Sequence, residues 1–166
     1  MAQALICLDG YRVAPLLDAA AATLNPALSW VLLHVADTRP ALEMEHVLHR
    51  LPGRGPGKRR AEAHMRHVME WSIDEVRAEI SAWLTNPGHT ADVVLSEGRP
   101  EREILRVAEE RGIRLIALGG GRGLPGRYPG PGPYPLSPVA RFVIDHAQGD
   151  VLLLRSYVAS GDRREG

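Results

Sequence analysis

Residues 113–123 read Ile-Arg-Leu-Ile-Ala-Leu-Gly-Gly-Gly-Arg-Gly, an apolar run that ends in a cluster of glycines. In an open parallel sheet, a glycine-rich turn after a strand lets backbone amides approach an anion at the carboxyl edge. The glycine-rich stretch continues from Gly119 to Pro138, where the pattern predicts the start of a helix. This order of strand, loop and helix predicts an α/β fold with a ligand site at the end of the strand.

Four other short apolar runs alternate with helix-like segments along the chain. Their apolarity is continuous, which is typical of parallel strands that helices cover on both faces. The predicted strands are residues 4–8, 30–35, 91–95, 113–118 and 151–154. The predicted helices are residues 13–24, 41–51, 60–84, 101–111 and 139–147. Trp83 belongs to an apolar stripe with a period near 3.6 in the longest helix, so this face is predicted to pack on the sheet.

The composition indicates a single domain. With 166 residues, 45% of them hydrophobic, the chain can bury one core but is short for two. We expect the domain to span residues 1–155. Within it, the sequence predicts a mobile basic loop at 52–60 and a glycine- and proline-rich loop at 119–138. Residues 156–166 are polar and are expected to form a flexible tail.

Charge and cysteine content exclude several classes of protein. Twenty basic and twenty acidic residues cancel, so no overall field draws the chain to nucleic acid or to a membrane surface. The single cysteine, Cys7, lies in the first apolar run and is expected to be a buried thiol. The sequence shows neither a signal peptide nor about 18 consecutive apolar residues. We therefore expect a soluble, cytoplasmic protein.

Two segments directly after predicted strands could hold a nucleotide. Asp9 and Gly10 follow the first strand, and Gly119 to Gly123 follow the fourth. If these strands are neighbours, Asp9 could accept hydrogen bonds from ribose hydroxyls or a base amine, and the glycine amides could bind phosphate. Asp9 could instead cap the first helix, since Asp is favoured just before helices. The chain has neither a Walker lysine and serine pair nor a dinucleotide fingerprint after the first strand.

Several separate segments resemble the universal stress protein family. They are Leu8-Asp9-Gly10, Leu33-His34-Val35, Gly98-Arg-Pro-Glu-Arg-Glu-Ile-Leu105, Leu115-Ile-Ala-Leu-Gly119, Gly120-Gly-Arg-Gly-Leu-Pro-Gly126 and residues 139–155. The resemblance covers most of the chain. It implies a three-layer sandwich with a five-stranded parallel sheet in the order 3-2-1-4-5 and helices on both faces. His34 would have a structural role in this pattern.

The resemblance also implies ligands and partners. Some family members bind ATP or AMP and others bind no nucleotide. The residues that correspond to the nucleotide site are Asp9, Gly10, Val35, Gly119, Gly120, Gly123, Ser137 and Val139. The family also implies a homodimer in which the fifth strands, here from Val151 to Arg155, pair across the interface.

The loop departs from the ATP-binding signature of this family, which places Gly followed by Ser or Thr at the start of the final helix. Thirteen residues separate Gly123 from Ser137, and Leu136 and Pro138 flank that serine. Six prolines from Gly119 onwards lack the amide that could bind phosphate. We therefore expect triphosphate binding to be weakened more than binding of a monophosphate or nucleoside. Ser137 and Pro138 are favourable first residues for a helix.

Two functions follow from these observations. The first is a sensor of ATP or AMP at the crevice between the first and fourth strands. The second is a dimeric interaction module that binds no nucleotide and meets a protein partner at the glycine- and proline-rich loop. Asp9 is the only carboxylate predicted at the crevice, so the sequence predicts no enzyme beyond weak ATP hydrolysis.

Two pairs of histidines could in principle bind a metal. They are His46 with His49, and His64 with His67, each pair at the i, i+3 spacing of a helix. Neither pair lies beside a cysteine or matches a zinc-binding spacing, so we predict no metal site.

Overall fold

The central strand of the sheet is the first apolar run, in which residues 4–8 are all buried. The computed structural model describes residues 2–10, 13–39, 73–119 and 136–154, and everything below refers to these residues. The elements are β1 (Gln3–Leu8), α1 (Val13–Thr23), β2 (Ser29–Asp37), α2 (residues 73–84), β3 (Ala91–Gly98), α3 (Pro100–Glu110), β4 (Leu115–Gly119), α4 (Pro138–His146) and β5 (Asp150–Leu154).

The five strands form one parallel sheet in the order β3-β2-β1-β4-β5, which confirms the expected order. β1 pairs with β2 on one side and with β4 on the other. In this register Leu8 lies opposite His34, and Cys7 lies between Leu33 and Leu118. The ends of β1, β2 and β4 therefore lie at the same edge of the sheet.

Helices cover both faces of the sheet, as predicted. Side chains that alternate along β1 divide the core in two, with Ile6 in one half and Leu5 in the other. α1 and α2 pack against the Ile6 face, whereas α3 and α4 pack against the Leu5 face. Burial of each large aliphatic side chain contributes about 1.5–3 kcal/mol to the free energy of unfolding. Cys7 lies in this core, and burial raises the pKa of its thiol well above its ordinary range.

The turn between α3 and β4 corrects one predicted boundary. Gly112 has a φ of +64°, and its N–H donates to the carbonyl oxygen of Glu109 at 3.1 Å. The N–H of Ile113 donates to the carbonyl oxygen of Ala108 at 2.8 Å, which completes a Schellman motif. The prediction that the strand begins at Ile113 was wrong, because this buried residue belongs to the turn that ends α3 and β4 begins at Leu115.

Trp83 of α2 packs on the sheet, as its position in the apolar stripe predicts. Its ring stacks on Trp30 of β2 with a centroid distance of 5.6 Å and on His89 with a distance of 3.7 Å. Its indole N–H donates to a carboxylate oxygen of Asp18 in α1 at 3.0 Å. One side chain thus ties α2 to both the sheet and α1.

The backbone before β5 passes very close to the backbone before β4. The N–H of Asp150 donates to the carbonyl oxygen of Arg114 at 2.8 Å, just before β4. A Cβ atom on Gly149 would lie only 2.8 Å from the carbonyl carbon of Arg114 and 2.9 Å from its Cα. The entry into β5 therefore requires a residue without a side chain.

Several predictions concern residues that the structure does not describe. They are the helix at 41–51, residues 60–72 of the long helix, the loop at 52–60, residues 120–135 of the glycine- and proline-rich loop, Arg155 and the tail at 156–166. Among the helices of the described ranges, none combines the length and apolarity needed to cross a membrane.

Candidate functional site

Asp9 and Gly119 come together at the carboxyl ends of β1 and β4. Asp9 directly follows β1 and is exposed, and Gly119 is the last residue of β4. A Cβ atom on Gly119 would lie 3.7 Å from Oδ2 of Asp9. The order of the sheet reverses between these two strands, and such a reversal is where open α/β sheets place their ligands.

Gly10 turns the chain away from the sheet after Asp9. Its φ is +84°, a conformation that costs a residue with a side chain about 1 kcal/mol or more. A Cβ atom at Gly10 would lie 3.2 Å from Cε1 of His34 and 3.7 Å from Cγ2 of Val76. Both the backbone conformation and the packing therefore favour glycine at this position.

His34 lies beneath this turn. It is 4% exposed, and its Nδ1 lies 3.1 Å from the carbonyl oxygen of Leu8, the residue opposite it in the β1–β2 register. Burial lowers the pKa of His34 below its ordinary value, although the hydrogen bond to Leu8 and the charge of Asp9 act in the opposite direction. This contact between neighbouring strands agrees with the structural role expected for His34.

Val35 faces the opposite side of the sheet from this turn. Its side chain is buried in the half of the core that α3 and α4 cover, and it lies opposite Ser96 in the β2–β3 register. β2 continues to Asp37, so the predicted end of the strand at residue 35 was two residues short. The pairing of Asp37 with Gly98 extends the strand beyond its apolar run.

Ser137 and Val139 lie at the start of α4. The Oγ atom of Ser137 accepts a hydrogen bond from the N–H of Ala140 at 3.0 Å, and Pro138 occupies the first turn of the helix. This confirms the predicted helix start. Because Pro138 has no N–H and Ser137 already engages that of Ala140, this helix start offers an anion fewer donors than an uncapped one.

Gly120 and Gly123, the remaining predicted phosphate-binding residues, lie outside the described residues. The same holds for the four histidines at positions 46, 49, 64 and 67. The structure therefore brings together Asp9, Gly10 and Gly119. Val35 and the first turn of α4 lie together in the half of the core that α3 and α4 cover.

A charged cluster at the ends of β2 and β3 was not predicted from the sequence. Arg39 Nη2 lies 2.6 Å from Oδ2 of Asp37, and Arg99 Nη2 lies 3.0 Å from Oε1 of Glu101. Glu101 is 5% exposed, and its Oε2 is 3.7 Å from Nη1 of Arg39. Although burial of Asp37 acts to raise its pKa, hydrogen bonds from Arg39 and the two arginine charges lower it overall.

The cluster joins the ends of two strands to the first turn of α3. The signal in the sequence is a carboxylate and an arginine two residues apart where each strand ends, as in Asp37-Thr-Arg39 and Arg99-Pro-Glu101. Such short patterns are common on exposed surfaces, where ion pairs contribute little, so only the structure shows that Glu101 is buried.

The chain matches the sequence model of the universal stress protein family over residues 5–155. Among curated proteins, none matches the chain in sequence.

Three solved structures show the same fold. A universal stress protein family protein from Arabidopsis thaliana, solved with AMP bound, is 14% identical, with a TM-score of 0.58 over 99% of this chain and 97% of that one. UspA from Lactobacillus plantarum is 21% identical, with a TM-score of 0.51 over 93% of this chain and 97% of that one. A family protein from Burkholderia pseudomallei is also 21% identical, with a TM-score of 0.51 over 92% and 95%.

Proposed function

Because the chain belongs to the universal stress protein family, we propose that this stress-response protein binds an adenine nucleotide at the crevice between β1 and β4. The proposal is supported mainly by the Asp9 carboxylate, which lies beside Gly119 where the strand order reverses. An exposed carboxylate can accept hydrogen bonds from both ribose hydroxyls. Gly119 has no side chain to fill the space beside it.

AMP fits this site better than ATP. A triphosphate needs several N–H donors. At the start of α4, Ser137 already engages one N–H and Pro138 lacks one, and the prolines of the loop also lack an N–H. Binding of a nucleoside or a monophosphate depends mainly on the side of the crevice where Asp9 lies. The Arabidopsis thaliana protein that shares the fold was solved with AMP bound, which supports AMP as a candidate ligand.

Calorimetric titration of the full chain with AMP, ATP and adenosine tests the proposal. We expect AMP to bind more tightly than ATP. Asp9→Ala should weaken AMP binding at least about tenfold, because ribose hydroxyls lose a charged acceptor. Asp145→Ala removes an exposed carboxylate near the far end of α4 and should leave AMP binding unchanged. Absence of binding by all three ligands, or equal binding by the wild type and Asp9→Ala, would contradict the proposal.

The alternative function is a dimeric interaction module without a nucleotide. It is favoured by β5, the last strand at one edge of the sheet, where Val151, Leu152 and Leu153 are only half-buried. A strand at an open edge can pair with a second copy through its backbone. We propose a homodimer that pairs through residues 151–155. Light scattering of the full chain should give the mass of a dimer, and a monomer at all concentrations would contradict this interface.

A further inference from the structure

The contact between His34 and Leu8 fixes which ring nitrogen of His34 carries a proton. A carbonyl oxygen can only accept a hydrogen bond, so Nδ1 at 3.1 Å must be the donor. In a neutral imidazole the other nitrogen, Nε2, is then an acceptor. Nε2 is buried and has no hydrogen-bond partner within the described ranges. The geometry thus requires the Nδ1–H tautomer.

The same ring also supports the turn that follows Leu8. Cε1 of His34 lies 3.2 Å from the position of a Cβ atom on Gly10, so the ring packs directly against this glycine. Val76 of α2 lies on the same side of Gly10 at 3.7 Å. Asp9 lies between Leu8, whose carbonyl accepts the hydrogen bond from His34, and Gly10, against which the His34 ring packs. His34 therefore contacts the residues on both sides of Asp9.

We infer that His34 is the positioning residue of the crevice: its neutral ring holds the Leu8 carbonyl and the Gly10 backbone, and thereby fixes Asp9 beside Gly119. This inference rests on the proposed function, because Asp9 is the residue proposed to bind ribose. His34 acts through Asp9 and is not proposed to touch the nucleotide.

Protonation should disturb this arrangement. An imidazolium would place a second N–H in buried surroundings that supply no acceptor from the described residues, so the ring would have to move toward water. Of the described elements around it, β1 contributes the charge of Asp9, which favours the imidazolium, whereas β3 contributes Leu95 and α2 contributes Val76. Burial outweighs Asp9, and the pKa of His34 is lowered from 6.5.

The direction of the pH effect follows from this lowered pKa. His34 is protonated near pH 6.5 in the unfolded chain but only at a lower pH in the folded chain. The stabilisation from neutral His34 is therefore complete above about pH 6.5 and is lost as the pH falls through the lowered pKa. Adenosine affinity should decrease only as the pH falls through the lowered pKa, because this is where His34 of the folded protein becomes protonated. Adenosine is the suitable probe because the phosphate of AMP itself titrates near pH 6.

Two matched substitutions separate positioning from simple packing. His34→Asn keeps an N–H near the place of Nδ1 without a titrating group, whereas His34→Gln places its amide near Nε2. We expect His34→Asn to bind adenosine within about threefold of the wild type, and to keep its affinity as the pH falls through the lowered pKa of His34, where the wild type loses affinity. His34→Gln and His34→Leu should bind about tenfold more weakly, because the buried Leu8 carbonyl loses its donor. Equal affinity and equal pH profiles in all four proteins would overturn the inference.

A measurement without ligand keeps this test independent of the proposed function. Nitrogen-15 NMR of the free wild-type protein should show the proton of His34 on Nδ1 at pH 7.5. The amide signal of Gly10 should be close to its wild-type position in His34→Asn and displaced in His34→Gln. A proton on Nε2, or an unmoved Gly10 signal in His34→Gln, would overturn the role of His34. If the wild type binds no adenosine but these signals behave as expected, the nucleotide proposal fails and His34 still positions the turn.

Discussion

Gly149→Ala should lower the free energy of unfolding by roughly 3 kcal/mol. The new methyl group would overlap the carbonyl group of Arg114, which is backbone and cannot move aside as the end of a long side chain can. Relief requires the entry into β5 to shift away from β4, which breaks the hydrogen bond from the Asp150 N–H to Arg114. Urea denaturation followed by circular dichroism measures this change.

Gly112→Ala is the matched control for this substitution. Gly112 has a φ of +64°, yet among the described residues no atom beyond its chain neighbours lies within 4 Å of a Cβ placed there. Alanine at this position should cost only about 1 kcal/mol through its backbone conformation, and asparagine should cost less because it tolerates that conformation. Gly149 is not among the glycines with a positive φ, so its effect comes from overlap alone. If Gly149→Ala lowers the free energy of unfolding no more than Gly112→Ala does, the backbone around Gly149 and Arg114 can adapt to a side chain.

Trp83→Ala should destabilise the fold by about 4 kcal/mol, the typical cost of removing a large buried aromatic side chain. It would leave a cavity between α2 and the sheet, remove both ring stacks and free the carboxylate of Asp18. Because Trp83 contacts β2 through Trp30, the loss should appear in global unfolding rather than in local fraying of α2.

Trp83→Phe separates the ring from its N–H. It preserves an aromatic ring against Trp30 and His89 but cannot donate to Asp18. Since Asp18 is exposed and can bind water instead, this variant should lose only about 1 kcal/mol. Similar losses for the phenylalanine and alanine variants would mean that the hydrogen bond, and not the ring packing, stabilises α2. Denaturation followed by far-ultraviolet circular dichroism compares the two.

Apolar runs predicted the five strands because parallel strands covered on both faces have no polar side to interrupt the pattern. The boundaries were less predictable where a buried apolar residue lies outside a strand, as Ile113 does in the turn after α3. The order of the strands came from the resemblance to a family, since continuous apolar runs do not specify neighbours. No local pattern indicates that Gly149 approaches Arg114, because that contact depends on how β4 and β5 pair.

The candidate site was predictable in part. Asp9, Gly10 and Gly119 could be placed together because residues that follow neighbouring parallel strands share one edge of the sheet. The cap formed by Ser137 was also predictable, since serine before proline is a local signal for a helix start. Burial of Glu101 was not, because a glutamate in the first turn of a helix is equally suited to water. The tautomer of His34 likewise required the distance to Leu8.

The position of β1 at the centre of the sheet has a consequence for protein synthesis. β1 leaves the ribosome first and obtains one neighbour when β2 ends at Asp37, but its other neighbour, β4, ends only at Gly119. At about 5–20 residues per second, the interval between these events lasts several seconds. During this time one edge of β1, which is apolar from Ala4 to Leu8, remains unpaired on the nascent chain, where it can recruit chaperones or other partially folded chains. Early docking of α1 onto β1 would cover one face of the strand, but its open edge is covered only when β4 pairs with it.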